Sequence, residues 1–404
     1  MTSAPRREAA FIFILVTVAL DMLALGVMIP VLPKLIAQFE GGDLRSAAQV
    51  VGLFGFAWAA MQFVFQPVLG ALSDHFGRRP VVLASNIGLG LDYIFMALAP
   101  SLPFLFLGRL ISGATAASVA TANAYIADIT PPEKRAGRFG LIGAAFGLGF
   151  ILGPAIGGAL GNYDLRFPFW AAAAFSLANA LYGFFILPES LSPERRTPKI
   201  AWRGANVAGS LDFLRREPAL TLLAGALFLS YLAHESLPAL FVLYTQQRFD
   251  WNAADTGWAL AVVGVAQTIV SGGLVRPAVA RLGEKTTLAI ALISGALGFL
   301  AFAFAPTGAL FMAATPLVAL WGMANPSFQG LATRLAGSSE QGRLQGALGS
   351  LRGVSGMTGP LIFSQIFALS LAEDFFTGAS YFAAGVLLSA SLWLGWKAIA
   401  AGAR

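Results

Sequence analysis

Six ionisable side chains stand deep inside otherwise apolar stretches of this 404-residue chain: Asp21, Asp92, Arg109, His234, Glu235 and Arg352. A charged Asp or Arg at the centre of a membrane-spanning helix costs ~2.5 to 3.5 kcal/mol on insertion scales, so a group kept there is a candidate for moving protons or for pairing across helices. Asp21 lies ~18 Å along the first stretch at 1.5 Å per residue, close to mid-bilayer. There it can exchange a proton under the influence of Arg109; a permanent structural ion pair is the other reading. Asp92 precedes Pro100 and Arg109 follows Pro103 by similar intervals, which puts the two at matching depth on consecutive helices, where they can pair. Glu235, beside His234 and just ahead of the helix-breaking Pro238, is the corresponding proton-exchange candidate of the second half. Arg352 can neutralise it, and a structural Glu235–Arg352 pair is an equally good reading.

A second set of charges sits at a surface. Gly70 to Arg79, GALSDHFGRR, joins two apolar runs. Gly70 and Gly77 let helices approach and turn sharply, Asp74 sits where a helix ends, and Arg78 and Arg79 stand where positive charge is favoured. Asp128 and the cluster Glu133, Lys134, Arg135 fall on the same side, so a charge network there can lock a gate and break when the gate opens. Simple anchoring of topology by the positive residues is the alternative. A third pattern, Gly140, Gly149, Gly153, Pro154, Gly157 and Gly158, places small residues at helical spacing where helices can cross closely, with a proline that frees a carbonyl.

The elements that must hold these groups follow from composition. The chain is 57% hydrophobic and 11% charged, against roughly 25% charged in soluble domains, and its mean hydropathy is +0.73. It reads as an integral membrane protein. Without cysteine there is no disulfide framework and no thiolate chemistry, and with two histidines no metal site or cofactor is expected. The net charge of +6 is dispersed among short loops, which argues against nucleic acid as a partner. Runs long enough for ~20-residue spans lie near 9–36, 48–72, 80–99, 103–127, 137–160 and 167–187, then near 218–246, 253–274, 286–305, 308–333, 343–370 and 376–399. Twelve spans are predicted, the first an uncleaved helix rather than a signal peptide.

With the N-terminus in the cytoplasm, 20 of the 26 Lys and Arg fall in cytoplasmic segments, so both termini are expected inside. Residues 188–217, rich in Pro, Arg and Glu, read as a cytoplasmic linker, with a short amphipathic helix expected around Val207 to Arg216. The linker separates a six-helix bundle over 1–187 from another over 218–404. An offset of 206 residues maps Gly77 on Gly283, Gly140 on Gly346 and Gly153-Pro154 on Gly359-Pro360, which indicates a duplicated unit. Two such halves around a mid-membrane site describe a transporter architecture.

The pattern from Gly70 to Arg79 and the constant offset together resemble the major facilitator superfamily across essentially the whole chain. The segments Leu20 to Phe39, Met61 to Leu83, Gly90 to Pro100, Leu107 to Thr130 and Gln341 to Phe363 look like bacterial tetracycline/proton antiporters. That resemblance implies an all-α fold and inner-membrane efflux driven by proton entry. It also implies that Asp21, Asp92 and Arg109 are the intramembrane charges, that Asp74 and Arg78 form the gate with Asp128 as partner, and that the glycine pattern of the fifth span is an antiporter motif. Those antiporters typically carry a histidine in helix 8 and an aspartate in helix 9; Gln267 and Gly295 stand there here, and neither carries a proton. His234 and Glu235 are expected to take their place, with a different cargo.

Candidate cavity groups are Gln62, Asn123, Gln267, Asn325, Gln329 and Gln365, since a buried amide must find a partner, and Tyr125, whose ring suits a planar or amphipathic ligand. No nucleophile elbow or phosphate-binding glycine loop is present, so an enzyme is not expected. The expectation is a monomeric, proton-coupled exporter of a small amphipathic organic compound or drug, whose partners are its small-molecule substrate, protons and the lipid bilayer. A metabolite or lipid-like transporter and a proton-symport importer of the same fold are the alternatives.

Overall fold

In the computed structural model the described residues are 4–116, 118–197, 214–215, 217–336, 340–373 and 376–401, and among them there is no strand. The helix expected around Val207 to Arg216 falls outside them apart from Leu214 and Arg215. Because hydrocarbon offers no hydrogen bonds, a chain this apolar satisfies its backbone within helices. The first half carries α1 (Ala4–Met28), α2 (Leu32–Phe39), α3 (Leu44–Phe76), α4 (Arg78–Ala97), α5 (Leu102–Thr115), α6 (Ser118–Ile129), α7 (Pro132–Gly161) and α8 (Phe167–Ile186). The second carries α9 (Pro218–His234), α10 (Ser236–Phe249), α11 (Ala253–Ile269), a π-helical turn (Val270–Leu274) and α12 (Val275–Phe304). There follow α13 (Gly308–Ala313), α14 (Thr315–Leu320), a 3₁₀ turn (Trp321–Met323), α15 (Ala324–Leu335), α16 (Gln341–Ala372) and α17 (Ala379–Ala401).

Ten of these stretches are long and apolar enough to cross a membrane. One of them, Ala253–Phe304, has 52 residues, ~78 Å of helix and far more than one crossing requires. It breaks at Gly283, whose φ of 75° and ψ of 164° are helical for no residue, and so crosses twice. The pair α5 and α6, joined around Ala116, supplies the twelfth span.

Two compact units emerge. One comprises Met1–Phe39, Ala57–Gly204 and Asn252–Val262; the other comprises Glu40–Phe56, Ala205–Trp251 and Val263–Arg404. In the first, α1 packs against α7 and α8, and α4 against α8; Ile14, Val18, Met22, Tyr125 and Ile126 form part of its buried core. In the second, α9 and α12 pack against α17. An aromatic cluster fills one end of it, with Phe302 stacked on Phe311 at 4.0 Å and Tyr244 edge-on to Tyr381 at 4.8 Å. The Tyr244 hydroxyl donates to the Phe302 carbonyl at 2.9 Å, so the cluster buries aromatic area without orphaning that polar group.

Candidate functional site

The junction between α3 and α4 is one residue long. Gly77 takes φ 107° and ψ 161°, a backbone conformation that side-chain-bearing residues avoid, and a Cβ there would run into the Glu189 carboxylate. The turn aims Arg78 back across the end of α3. Its Nη1 meets Asp74 Oδ1 at 2.5 Å and donates to Ser73 Oγ at 2.6 Å, while its Nε donates to Asp128 Oδ2 at 3.1 Å. With 11% of its side chain exposed, this arginine ties the ends of α3 and α6 together as expected. Gly70 has nothing within 4 Å of the place a Cβ would occupy, so the close approach expected of it is not made in this conformation.

Sequence reasoning missed Glu189, Ser190 and Thr197, which it assigned to a solvated linker. Glu189 accepts backbone N–H bonds from Arg78 (2.9 Å), Arg79 (3.3 Å), Ser190 (2.9 Å) and Leu191 (3.0 Å). An anion at the start of α4 is favoured by the unpaired amides and the helix dipole. Ser190 Oγ donates to Asp128 at 3.2 Å, Thr197 N donates to the Asp74 carbonyl at 3.0 Å, and His75 Nδ1 bonds the Thr197 carbonyl at 2.7 Å. The stretch after α8 is therefore folded onto the junction. The available signal was an acid directly after a span that ends beside two arginines. Tyr125, expected at a cavity wall, is fully buried instead; its hydroxyl donates to the Pro188 carbonyl at 2.7 Å and pins the same stretch. Glu189→Ala removes an anionic cap and should cost about 1 kcal/mol, read as a lowered midpoint of thermal unfolding; Glu189→Gln, which keeps an acceptor, should lose less.

Deeper in the first unit, Asp21 is 5% exposed and accepts from Asn179 Nδ2 at 2.9 Å, which also donates to the Thr17 carbonyl at 3.0 Å. Asn179 had no role in the sequence reading. Asp92 is 2% exposed, and neither of its carboxylate oxygens has a hydrogen-bond partner among the described residues. The expected Asp92–Arg109 ion pair does not form within 4.0 Å; the Arg109 guanidinium lies over the Trp58 ring, 5.0 Å from its centroid. The reason is rotation about the helix axis. Asp92 packs against Gly108, where an added Cβ would sit 3.2 Å from Oδ1, and Arg109 is turned about 100° from Gly108 round α5.

The glycine pattern of α7 has a concrete use. Gly149, Gly153 and Gly157 face the backbone of α1 at Met22 to Val27, and Gly158 faces Ala253 and Gly257 of α11. These close crossings replace side-chain bulk with backbone contact. Gly140 has open space around it.

In the second unit the break between α9 and α10 falls at Glu235. His234 Nδ1 lies 3.9 Å from Glu235 Oε1, and the His234 ring sits 5.6 Å from that of Trp321. The Glu235–Arg352 pair also does not form. Glu235 packs against Gly359, and Arg352 places its guanidinium 5.9 Å from the centre of the Tyr231 ring. Asn325 Oδ1 accepts from Tyr231 at 2.9 Å. Gln267 lies against Gly322, Gln365 accepts from Gln49 at 3.4 Å and Gln62 from Gln66 at 3.2 Å; Asn123 is exposed and Gln329 half-buried. Gly295 has a packing reason: a Cβ would lie 2.8 Å from Trp321 and from Leu388, so α12 has no room there for a carboxylate. Gly295→Asp should therefore lower the unfolding midpoint by the equivalent of about 1 to 3 kcal/mol, the scale of core overpacking.

These buried charges, the arginine-bridged junction and the glycine crossings lie on a chain whose residues 13–360 match the Major Facilitator Superfamily profile. The chain is 40% identical over 361 residues to the Escherichia coli class C tetracycline resistance protein, covering 89% of this chain and 90% of that one. It is 39% identical over 365 residues to the class G tetracycline resistance protein of Vibrio anguillarum, covering 90% and 91%. The crystal structure of the human organic anion transporter MFSD10 superposes with a TM-score of 0.71 at 24% identity, covering 97% of this chain and all of that one, a likeness of fold. A family profile matched over most of the length, relatives matched nearly end to end and a shared helical fold lead to one conclusion: the protein is a multi-pass membrane transporter of the major facilitator superfamily.

Proposed function

We propose that the protein is a proton-coupled antiporter exporting a small amphipathic organic compound by alternating access, of the drug-efflux kind. It acts in the bacterial inner membrane with both termini cytoplasmic, as two six-helix bundles over 1–187 and 218–404 joined by 188–217. The observation that carries proton coupling is Asp92: a carboxyl group buried in a span, with neither oxygen hydrogen-bonded, beside an arginine that does not neutralise it by contact. Leaving such a group buried as an unpaired anion is costly, so it is a place where a proton can be taken up and released. Asp21, hydrogen-bonded by Asn179, is a second buried carboxyl group in the same unit. Kinship with tetracycline resistance proteins at 34 to 40% identity supports the export of drugs.

Arg78, joined to Asp74 and Asp128, is the cytoplasmic latch, and its bonds must exchange as the access side changes. The test is uptake of labelled substrate, tetracycline with magnesium among a panel of planar drugs, into inside-out proteoliposomes with an acidic lumen. Uptake should collapse on adding a protonophore and fall at least several-fold in Asp21→Asn. Flux indifferent to the pH gradient would falsify the antiport reading.

A further inference from the structure

The second unit contains three interruptions of helical regularity that converge. His234, at the α9/α10 break, is residue 17 of the 32 in Pro218–Phe249, and Trp321, which opens the 3₁₀ turn, is residue 14 of the 28 in Gly308–Leu335. Both breaks thus lie at mid-span, and the π-helical turn Val270–Leu274 contacts the 3₁₀ turn. Transporter helices are interrupted where their backbone borders a binding site, and mid-helix π and 3₁₀ turns accompany functional sites.

The side chains at this level are held rigidly. The Trp321 indole Nε1–H donates to Ser230 Oγ at 3.0 Å, and the Tyr231 hydroxyl is tied to Asn325. Two aromatic faces are thereby fixed, with the His234 ring beside one and the Arg352 guanidinium over the other. Arg352 is exposed, and no carboxylate among the described residues lies within 4.0 Å of it. The His234 side chain is 55% exposed. Charged or ionisable groups open at mid-span face a water-filled cavity, since exposure to lipid is too costly. Glu235 lies 3.9 Å from the neighbouring His234 Nδ1 and is backed onto Gly359, not onto Arg352. The face therefore offers a cation with no counter-ion beside flat, immobilised aromatic rings.

We infer that Arg352, Tyr231, Trp321 and His234 form a substrate subsite for a planar aromatic organic anion. The ligand's carboxylate or enolate takes the Arg352 fork, and its ring system lies against the exposed His234 ring, which Trp321, itself only 8% exposed, backs. This deepens the export reading and rests on it for the direction of transport, while binding itself does not depend on that reading.

Calorimetric titration of the full-length protein in detergent, with no pH gradient, tests the subsite with three probes of one ring system: 2-naphthoate, its methyl ester and a naphthylmethyl-trimethylammonium ion. The acid should bind about tenfold tighter than the ester, the scale of one charge-assisted bidentate contact, and the cation weakest. Arg352→Gln should bring the acid down to the ester's affinity and leave the ester unchanged, whereas His234→Ala should weaken acid and ester alike. Where Arg352→Gln does not fold, Arg352→Lys decides: it keeps the charge, loses the fork and should bind the acid several-fold more weakly. Equal affinity for acid and ester, preference for the cation, or unaltered acid binding in the arginine variants overturns the subsite. Failure of pH-driven flux with naphthoate binding intact would instead overturn the proton-antiport reading and leave the subsite standing.

Discussion

Asp92→Asn is expected to lower uphill, pH-driven transport by on the order of 100-fold while downhill counterflow of the same substrate stays within a few-fold of the parent. The asparagine keeps the shape of the side chain against Gly108 at the α4–α5 contact, so packing is little disturbed. What it removes is the proton site: an amide cannot alternate between a neutral and a charged form. Loss of a proton-transferring group is worth on the order of 100-fold in rate, and that is the fall expected in gradient-driven flux. Counterflow needs substrate binding and the conformational exchange but no net proton movement. Equal loss of both activities would assign Asp92 to the exchange itself, and unimpaired pH-driven flux would move the coupling to Asp21.

The second large effect is structural and separates glycines within one motif. Gly157→Val should destabilise the protein by about 1 to 3 kcal/mol through overpacking and lower its unfolding midpoint in detergent. Its Cβ would be driven into the backbone carbonyl of Val27, which no rotamer change can move, so α1 and α7 must separate. Gly140→Val meets open space and should stay within about 0.5 kcal/mol of the parent. Thermal unfolding followed by intrinsic fluorescence compares the two directly. If both variants melt alike, the glycines do not act through this crossing.

The positions of the spans and the charged junction were legible because each depends on the order of residues along the chain. Apolar length and charge placement decide what enters a bilayer wherever the helices later pack. Arg78 between Asp74 and Asp128 was readable for the same reason, since the span ends confine all three to one surface. Pairings inside the membrane were not. Depth follows from residue number, and it placed Asp92 level with Arg109 and Glu235 near Arg352. Azimuth does not: Arg109 turned to Trp58 and Arg352 to Tyr231, because a single residue step rotates a side chain about 100° and neighbouring helices select the rotation.

The junction shows the same division. Gly77 could be recognised as a turn glycine, but the acid that fills the space beside it, Glu189, lies over a hundred residues away in a stretch whose polar composition suits solvent equally well. Gly295 tells it from the other side, since the sequence disclosed the missing carboxylate and only the packing of Trp321 disclosed why none fits. By itself, then, the sequence determined a twelve-span transporter with its charges assigned to depths and surfaces. Tertiary structure alone decided which of those charges meet, because contact depends on helix rotation and on backbone approach across long separations in the chain.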